Sequence, residues 1–169
     1  MTTSSSVRYT NEITPEFLRT LDKSPFTQQQ LDTFDKQSLE AVSQRRAFAA
    51  AHPPSAIYRV AAEGSQTRQG GVVKHTTGSI QFKLESGQHV RAALIGDHVH
   101  YPDGTEAKIV TGAGKGNNNV ALVGSYLSNG DEIINTPQGS VFIIRREGVD
   151  KAEDFLPPFE DASPVLGAL

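Results

Sequence analysis

Val60-Ala61-Ala62-Glu63-Gly64-Ser65-Gln66-Thr67-Arg68-Gln69-Gly70, Ala93-Leu94-Ile95-Gly96-Asp97-His98-Val99-His100-Tyr101 and Ala121-Leu122-Val123-Gly124-Ser125-Tyr126-Leu127-Ser128-Asn129-Gly130 share one pattern. Each is a short apolar run, then a glycine, then Ser or Asp, then variable residues. The leading glycines Gly64, Gly96 and Gly124 stand 32 and 28 residues apart. A unit this short cannot bury an apolar face alone, so three of them must share one core around a common axis. The expectation is a mainly β body of hairpins with an internal pseudo-three-fold repeat.

Working outward, the other glycines agree. Thirteen of the fifteen lie between Gly64 and Gly139, and none precedes Gly64. Helix interiors avoid glycine, which loses the most backbone entropy on folding, whereas tight turns require it. The chain therefore divides near residue 55, where His52-Pro53-Pro54 denies a helix its donors. Beyond that point the apolar runs are short and β-branched, at 57–62, 72–77, 80–84, 89–95, 106–111, 120–123, 132–135 and 141–145. Ile80, Phe82 and Leu84 alternate with polar neighbours, as a strand with one wet face does. Pro102-Asp103-Gly104 and Asn129-Gly130 are turn signals.

Before the prolines, two helices are expected. Thr14-Pro15 reads as an N-cap with proline at the first helical position. Thr27 with Gln30 fits a capping box, and Phe26 with Leu31 fits its hydrophobic staple. The second helix is expected to run about six turns, to Ala51. Two readings of this helical extension stay open: a docking surface for a partner, or a pair packed on its own β domain. The expected division is a flexible start at 1–13, a helical extension at 14–55, a β domain at 56–146 and an acidic tail at 147–169. That tail holds six acids, one lysine and three prolines, with Phe155, Leu156, Phe159, Val165 and Leu166 as apolar anchors.

The 169 residues make roughly one domain with a short appendage. A formal charge of −3 gives no electrostatic reason to expect nucleic acid. Cysteine is absent, which excludes disulfides, thiolate zinc sites and a cysteine nucleophile. The Ser/Thr-rich start carries no signal-peptide pattern and no apolar run is long enough to span a membrane. A cytoplasmic chain exported only by another machine is the expectation.

Gly70-Gly71-Val72-Val73, Gly96-Asp97-His98-Val99, Tyr101-Pro102-Asp103-Gly104, Ile109-Val110 and Ala121-Leu122-Val123-Gly124 together resemble PAAR-repeat proteins. The resemblance covers about residues 58–139. It implies a compact cone of β-hairpins that sharpens the spike of a contractile injection machine, type VI secretion above all. It further implies a non-enzymatic protein, one copy capping a trimeric VgrG-like spike, in transient contact with the target membrane. The injection machine then carries it out of the cell without a signal peptide, and residues 14–55 or the tail can link an effector or adaptor.

Members of that family hold zinc near the apex with His and Cys placed five residues after the repeat glycines, plus one nearby His. Those positions carry Gln69, Tyr101 and Asn129 here, with Asp103 at the place of the extra His. Amide and phenol groups are poor zinc ligands beside thiolate and imidazole. The expectation is an apex without the usual zinc or any cofactor, tied by hydrogen bonds from Gln69, Tyr101, Asp103 and Asn129.

Other residues invite chemistry. His98 and His100 would share one side of a strand, the basis of an alternative: a small β-barrel metal-binding protein or enzyme using these two with His75 or His89. Gly112-Ala113-Gly114-Lys115-Gly116 has neither P-loop spacing nor a Ser or Thr after the lysine, and reads as a long hairpin loop. Asp97 reads as a turn residue bonding its own backbone. Arg145-Arg146 reads as a solvated end.

Overall fold

The computed structural model describes residues 7–158, so the anchors expected at Phe159, Val165 and Leu166 lie outside the described residues. The chain is mainly β and forms two compact units. One comprises, among described residues, 7–11, Tyr58–Ile143 and 151–158; the other comprises Glu12–Ile57 and Ile144–Asp150.

The second unit contains three helices, not two. α1 (Pro15–Thr20) opens on Thr14, whose side chain accepts the Phe17 N–H at 3.1 Å. α2 (Gln28–Leu31) carries the expected capping box, with Thr27 and Gln30 bonding reciprocally at 3.2 and 2.8 Å. The expected six-turn helix is broken after Asp32, because Asp35 caps a fresh start by accepting the Ser38 N–H at 2.7 Å. α3 then runs Lys36–Ala51. Phe26 meets Phe34 edge-on at 4.9 Å.

This unit also contains residues 54–57 of β1 (Pro54–Arg59) and residues 144–146 of its pairing partner β7 (Phe142–Arg146). Arg146 is no solvated end. Its guanidinium donates to both Asp22 carboxylate oxygens, at 3.0 and 2.6 Å, and to the His52 carbonyl at 3.0 Å. That bidentate bond holds the Asp22 carboxyl below its ordinary range.

The β unit is built on a cycle. Ala61 N–H donates to the Ala121 carbonyl, Ala121 to Ala93, and Ala93 back to Ala61, at 2.9, 2.7 and 2.9 Å. All three alanines have no exposed surface. A second set of three equivalent bonds joins the same pairs of repeats: Val123 to Arg59, Ile95 to Asn119 and Glu63 to Arg91, at 2.9, 3.0 and 2.9 Å. The quoted repeats are thus related by a three-fold pattern of main-chain bonds.

Within each repeat the leading glycine turns the chain. Gly64, Gly96 and Gly124 have φ of +95°, +97° and +107°, a region that L side chains resist. Their N–H groups donate to Val73, Ile109 and Ile133, on the returning arm of each hairpin. The residue after each glycine locks the turn: Ser65, Asp97 and Ser125 accept the N–H of Ala62, Leu94 and Leu122 at 3.0, 2.8 and 2.9 Å. The expected self-bonding role of Asp97 is what its carboxylate does, and it also accepts from Thr77 Oγ1 at 2.8 Å.

Neighbouring repeats pair through these arms, Val73 with Val99, Ile109 with Leu127, and Thr67 with Ile133. β2 (Val72–Val73), β5 (His98–His100) and β6 (Glu106–Lys108) form a sheet, and β3 (Gln81–Lys83) with β4 (His89–Arg91) forms a separate hairpin. Strands expected at 120–123 and 132–135 appear as isolated bridges, Val120 to Leu94, Leu122 to Val60, Glu132 to Tyr126 and Ile133 to Thr67. Val73, Val99, Ile109, Leu127 and Ile133 fill one core cluster with the three alanines; Phe82, Val90, Leu122 and Phe155 anchor another.

Described residues toward each end of the chain, 7–11 and 151–158, belong to this unit. The start expected to be flexible is bonded from Arg8 to Asn11. Tyr9 exchanges both main-chain bonds with Thr136 at 2.9 and 3.0 Å, and Asn11 donates to the Val123 carbonyl at 2.8 Å. A side chain at Gly139 would sit 2.6 Å from the Tyr9 ring and could enter only by displacing it. In the expected tail, Phe155 is buried edge-on to Tyr58 at 5.2 Å, and Leu156 N–H donates to Gly112 at 2.8 Å. The glycine-rich loop accommodates an acid of its own chain: Asp154 accepts the Lys115 N–H at 2.9 Å and packs where a Gly114 side chain would be.

Two substitutions test this packing by urea unfolding of the full chain. Phe155→Ala should cost about 3 kcal/mol, as a buried aromatic truncation does. Ala93→Leu should cost about as much, since the axis has no room for three more carbons; a neutral result would show that the cycle is not tightly packed.

Candidate functional site

The hairpin ends are the part of the repeats that the sequence singles out. Each turns on a further left-handed glycine, Gly70, Gly104 and Gly130, at φ +92°, +90° and +86°. The returning residue lies nine positions past the leading glycine in repeats one and three, but thirteen past it in repeat two. The second hairpin is therefore four residues longer, and its Tyr101 reaches across to the end of the third.

What it meets there is Asp131, only 2 % exposed. Tyr101 donates its hydroxyl to Asp131 Oδ2 at 2.6 Å, and Asn129 Nδ2 donates to the Tyr101 oxygen at 3.1 Å. Asp131 Oδ1 accepts the N–H of Gln69 at 3.1 Å and of Glu132 at 2.8 Å. The Thr67 hydroxyl bonds the same carboxylate and accepts the Gly71 N–H at 2.8 Å. Asn129 Oδ1 accepts the Asp131 N–H at 3.0 Å, closing the turn. One carboxylate thus ties all three repeats together.

The electrostatics follow from that geometry. Burial alone would raise the Asp131 pKa, yet the bonds from Thr67, Tyr101, Glu132 and Gln69 together outweigh it and hold the carboxyl below its ordinary value. Burial, and then the bond to Asp131, push the Tyr101 phenol up. At neutral pH the site is an anion ringed by donors.

Of the four residues expected to tie the apex, Tyr101 and Asn129 meet at Asp131, and Gln69 joins through its backbone N–H. Asp103 stands apart, accepting only from its own turn, Thr105 N–H at 2.9 Å and Thr105 Oγ1 at 2.6 Å. Sequence reasoning missed Asp131. The signal was its place directly after Asn129-Gly130, where a carboxylate can accept from its own turn and its neighbours.

This donor set does not fit zinc. Its single carboxylate is already taken by N–H and O–H donors, and the groups beside it are amide, hydroxyl and phenol. His100 pairs instead with Glu106, Nδ1 to Oε1 at 3.0 Å, while His98 is exposed on the same face of β5. Among the described residues no group of three or more His, Cys, Asp or Glu side chains is arranged to hold a metal ion.

Asp131→Asn should lower the stability of the β unit by about 2 kcal/mol at pH 7, because an amide cannot accept from every donor that now faces it. The sign with pH is fixed by the lowered pKa. Stability from Asp131 is present above the unfolded value of about 4 and is lost as pH falls through the lower folded value. Thermal unfolding from pH 7 down to 2 should show the wild-type advantage shrinking over that acid window. A gap that stays constant with pH would assign the loss to packing.

No protein-family model, no curated protein and no solved structure matches this chain.

Proposed function

We propose that the β unit is a PAAR-like, non-enzymatic tip that caps a trimeric spike of a contractile injection system, type VI secretion first among them. The observation that carries this reading is the cycle Ala61–Ala121–Ala93, by which one chain acquires three-fold main-chain symmetry. A three-fold shaft ends in three identical strand edges, and a single three-fold cap can meet each with the same backbone geometry.

The hairpin ends support the same reading. Their exposed residues, Gln69-Gly70, Pro102-Asp103-Gly104-Thr105 and Ser128-Asn129-Gly130, carry no large apolar side chain that would stick to lipid. On this reading the Tyr101–Asp131–Asn129 network does with hydrogen bonds the tying that the family does with metal. Force in such a machine comes from the contracting sheath, so a tip needs stiffness and no catalytic group. An effector or adaptor is carried by residues 14–55 or by the acidic tail.

The test mixes the full chain with a trimeric VgrG-like spike protein encoded in the same genome. Native mass spectrometry should show one copy per trimer, and Ala93→Leu should abolish the complex. Three copies per trimer, or none, overturns the reading.

A further inference from the structure

The helical unit has no buried side chain in α1, α2 or α3. It does contain a groove of 930 Å³. One wall is a single face of α3, Ser38, Ala41, Val42, Arg45, Phe48 and Ala49, spaced as one helical stripe. The other wall is the 21–26 segment with Phe34. Phe48 is 50 % exposed, which leaves a large apolar ring open to the groove.

The charges along this groove are one-sided. Asp22 lies on its wall but is consumed by the bidentate bond from Arg146, so that pair is neutral. Lys23, Arg45 and Arg46 also line it, and among the described residues no acid lies within ion-pair distance of any of them. An apolar floor thus carries three uncompensated cations at its margins. The walls are helix and turn, apart from Arg146 at the end of β7, whose guanidinium is held by Asp22 and the His52 carbonyl, so an extended strand finds little main chain to pair with there. A helix laid along α3 matches the floor with its own stripe.

We propose that this groove seats an acidic amphipathic helix of another protein, its apolar stripe over Phe26, Val42 and Phe48 and its Glu or Asp rows against Lys23, Arg45 and Arg46. This refines the cargo-linking part of the reading above and rests on it only for its purpose, since the groove lies wholly in the helical unit. Long cationic side chains at the rim suit the role, covering apolar surface with their stems while their heads meet the partner's acids.

The chain contains no tryptophan, so a peptide carrying one reports binding directly. The probe is a helical peptide of about five turns, with a leucine stripe, one central Trp and glutamates flanking the stripe. A control keeps the stripe and replaces the glutamates with lysines. Titrated into the full chain at physiological salt, the glutamate peptide should bind saturably at one per chain, with the lysine peptide about ten-fold weaker or more.

Arg45→Glu with Arg46→Glu should invert that preference, and Phe48→Ala should weaken the glutamate peptide about ten-fold. All three side chains are exposed, and circular dichroism checks that the helices persist. Equal affinity for both peptides, binding of neither, or a preference unmoved by the charge reversal overturns the proposal. So does a dimer of the chain that Phe48→Ala abolishes, which would assign the face to a second copy. No spike protein enters this titration, so a failed spike complex and a failed peptide titration are separate results.

Discussion

Three main-chain hydrogen bonds, running Ala61 to Ala121 to Ala93 and back to Ala61, are the constraint on which the β unit depends. A cycle of three donors and three acceptors leaves no edge at the axis, so no fourth strand can add there and no member can slip in register alone. The cost is steric: three backbones bonded directly to one another leave little room for side chains between them. The repeats satisfy this with alanine at each of the three positions, fully buried. Larger apolar residues then follow one layer out, at Val73, Val99, Ile109, Leu127 and Ile133, where the arms have diverged enough to need filling.

The features of this arrangement that show in sequence are those enforced by local chemistry. A left-handed turn needs glycine, and the next residue must offer an oxygen to an N–H three positions back; hence Gly64-Ser65, Gly96-Asp97 and Gly124-Ser125. These pairs marked the three units and their order. The break between α2 and α3 was also written locally, as Asp35 capping Ser38, but the apolar spacing of Leu31, Phe34 and Leu39 runs through it and masks the stop.

What stayed hidden is long-range. Nothing near Asp131 in the chain announces that a tyrosine 30 residues away will donate to it, because that contact depends on the second hairpin being longer than its sisters. Counting from each glycine assigned Gln69, Tyr101 and Asn129 to equivalent places, yet the extra length carries Tyr101 one pair of residues further out than Thr67 or Leu127. The role of Arg146 is hidden for the same reason, as its partner Asp22 is 124 positions distant. The segments around Tyr9 and Phe155 cannot be placed from sequence because acid, proline and serine content describe the free chain, whereas both residues are held by surfaces made elsewhere in the sequence.

A single chain with internal three-fold symmetry differs from a trimer of identical subunits in one useful respect: its three sectors need not match on the outside. The turn at Gly64 is covered by Arg8 and Pro137, and the turn at Gly124 by Leu156 and Asn11, while nothing lies within 4 Å of the side-chain position at Gly96. The longer second hairpin is spent on the Tyr101–Asp131 tie. If structural zinc contributes about 10–16 kcal/mol at such a point in other small domains, a handful of bonds at about 1–3 kcal/mol each is weaker. Rigidity must then come mainly from the axial alanine cycle and the core around it, with the Asp131 network fixing only how the three ends sit against one another. That division of labour lets the ends vary in length and composition without disturbing the axis.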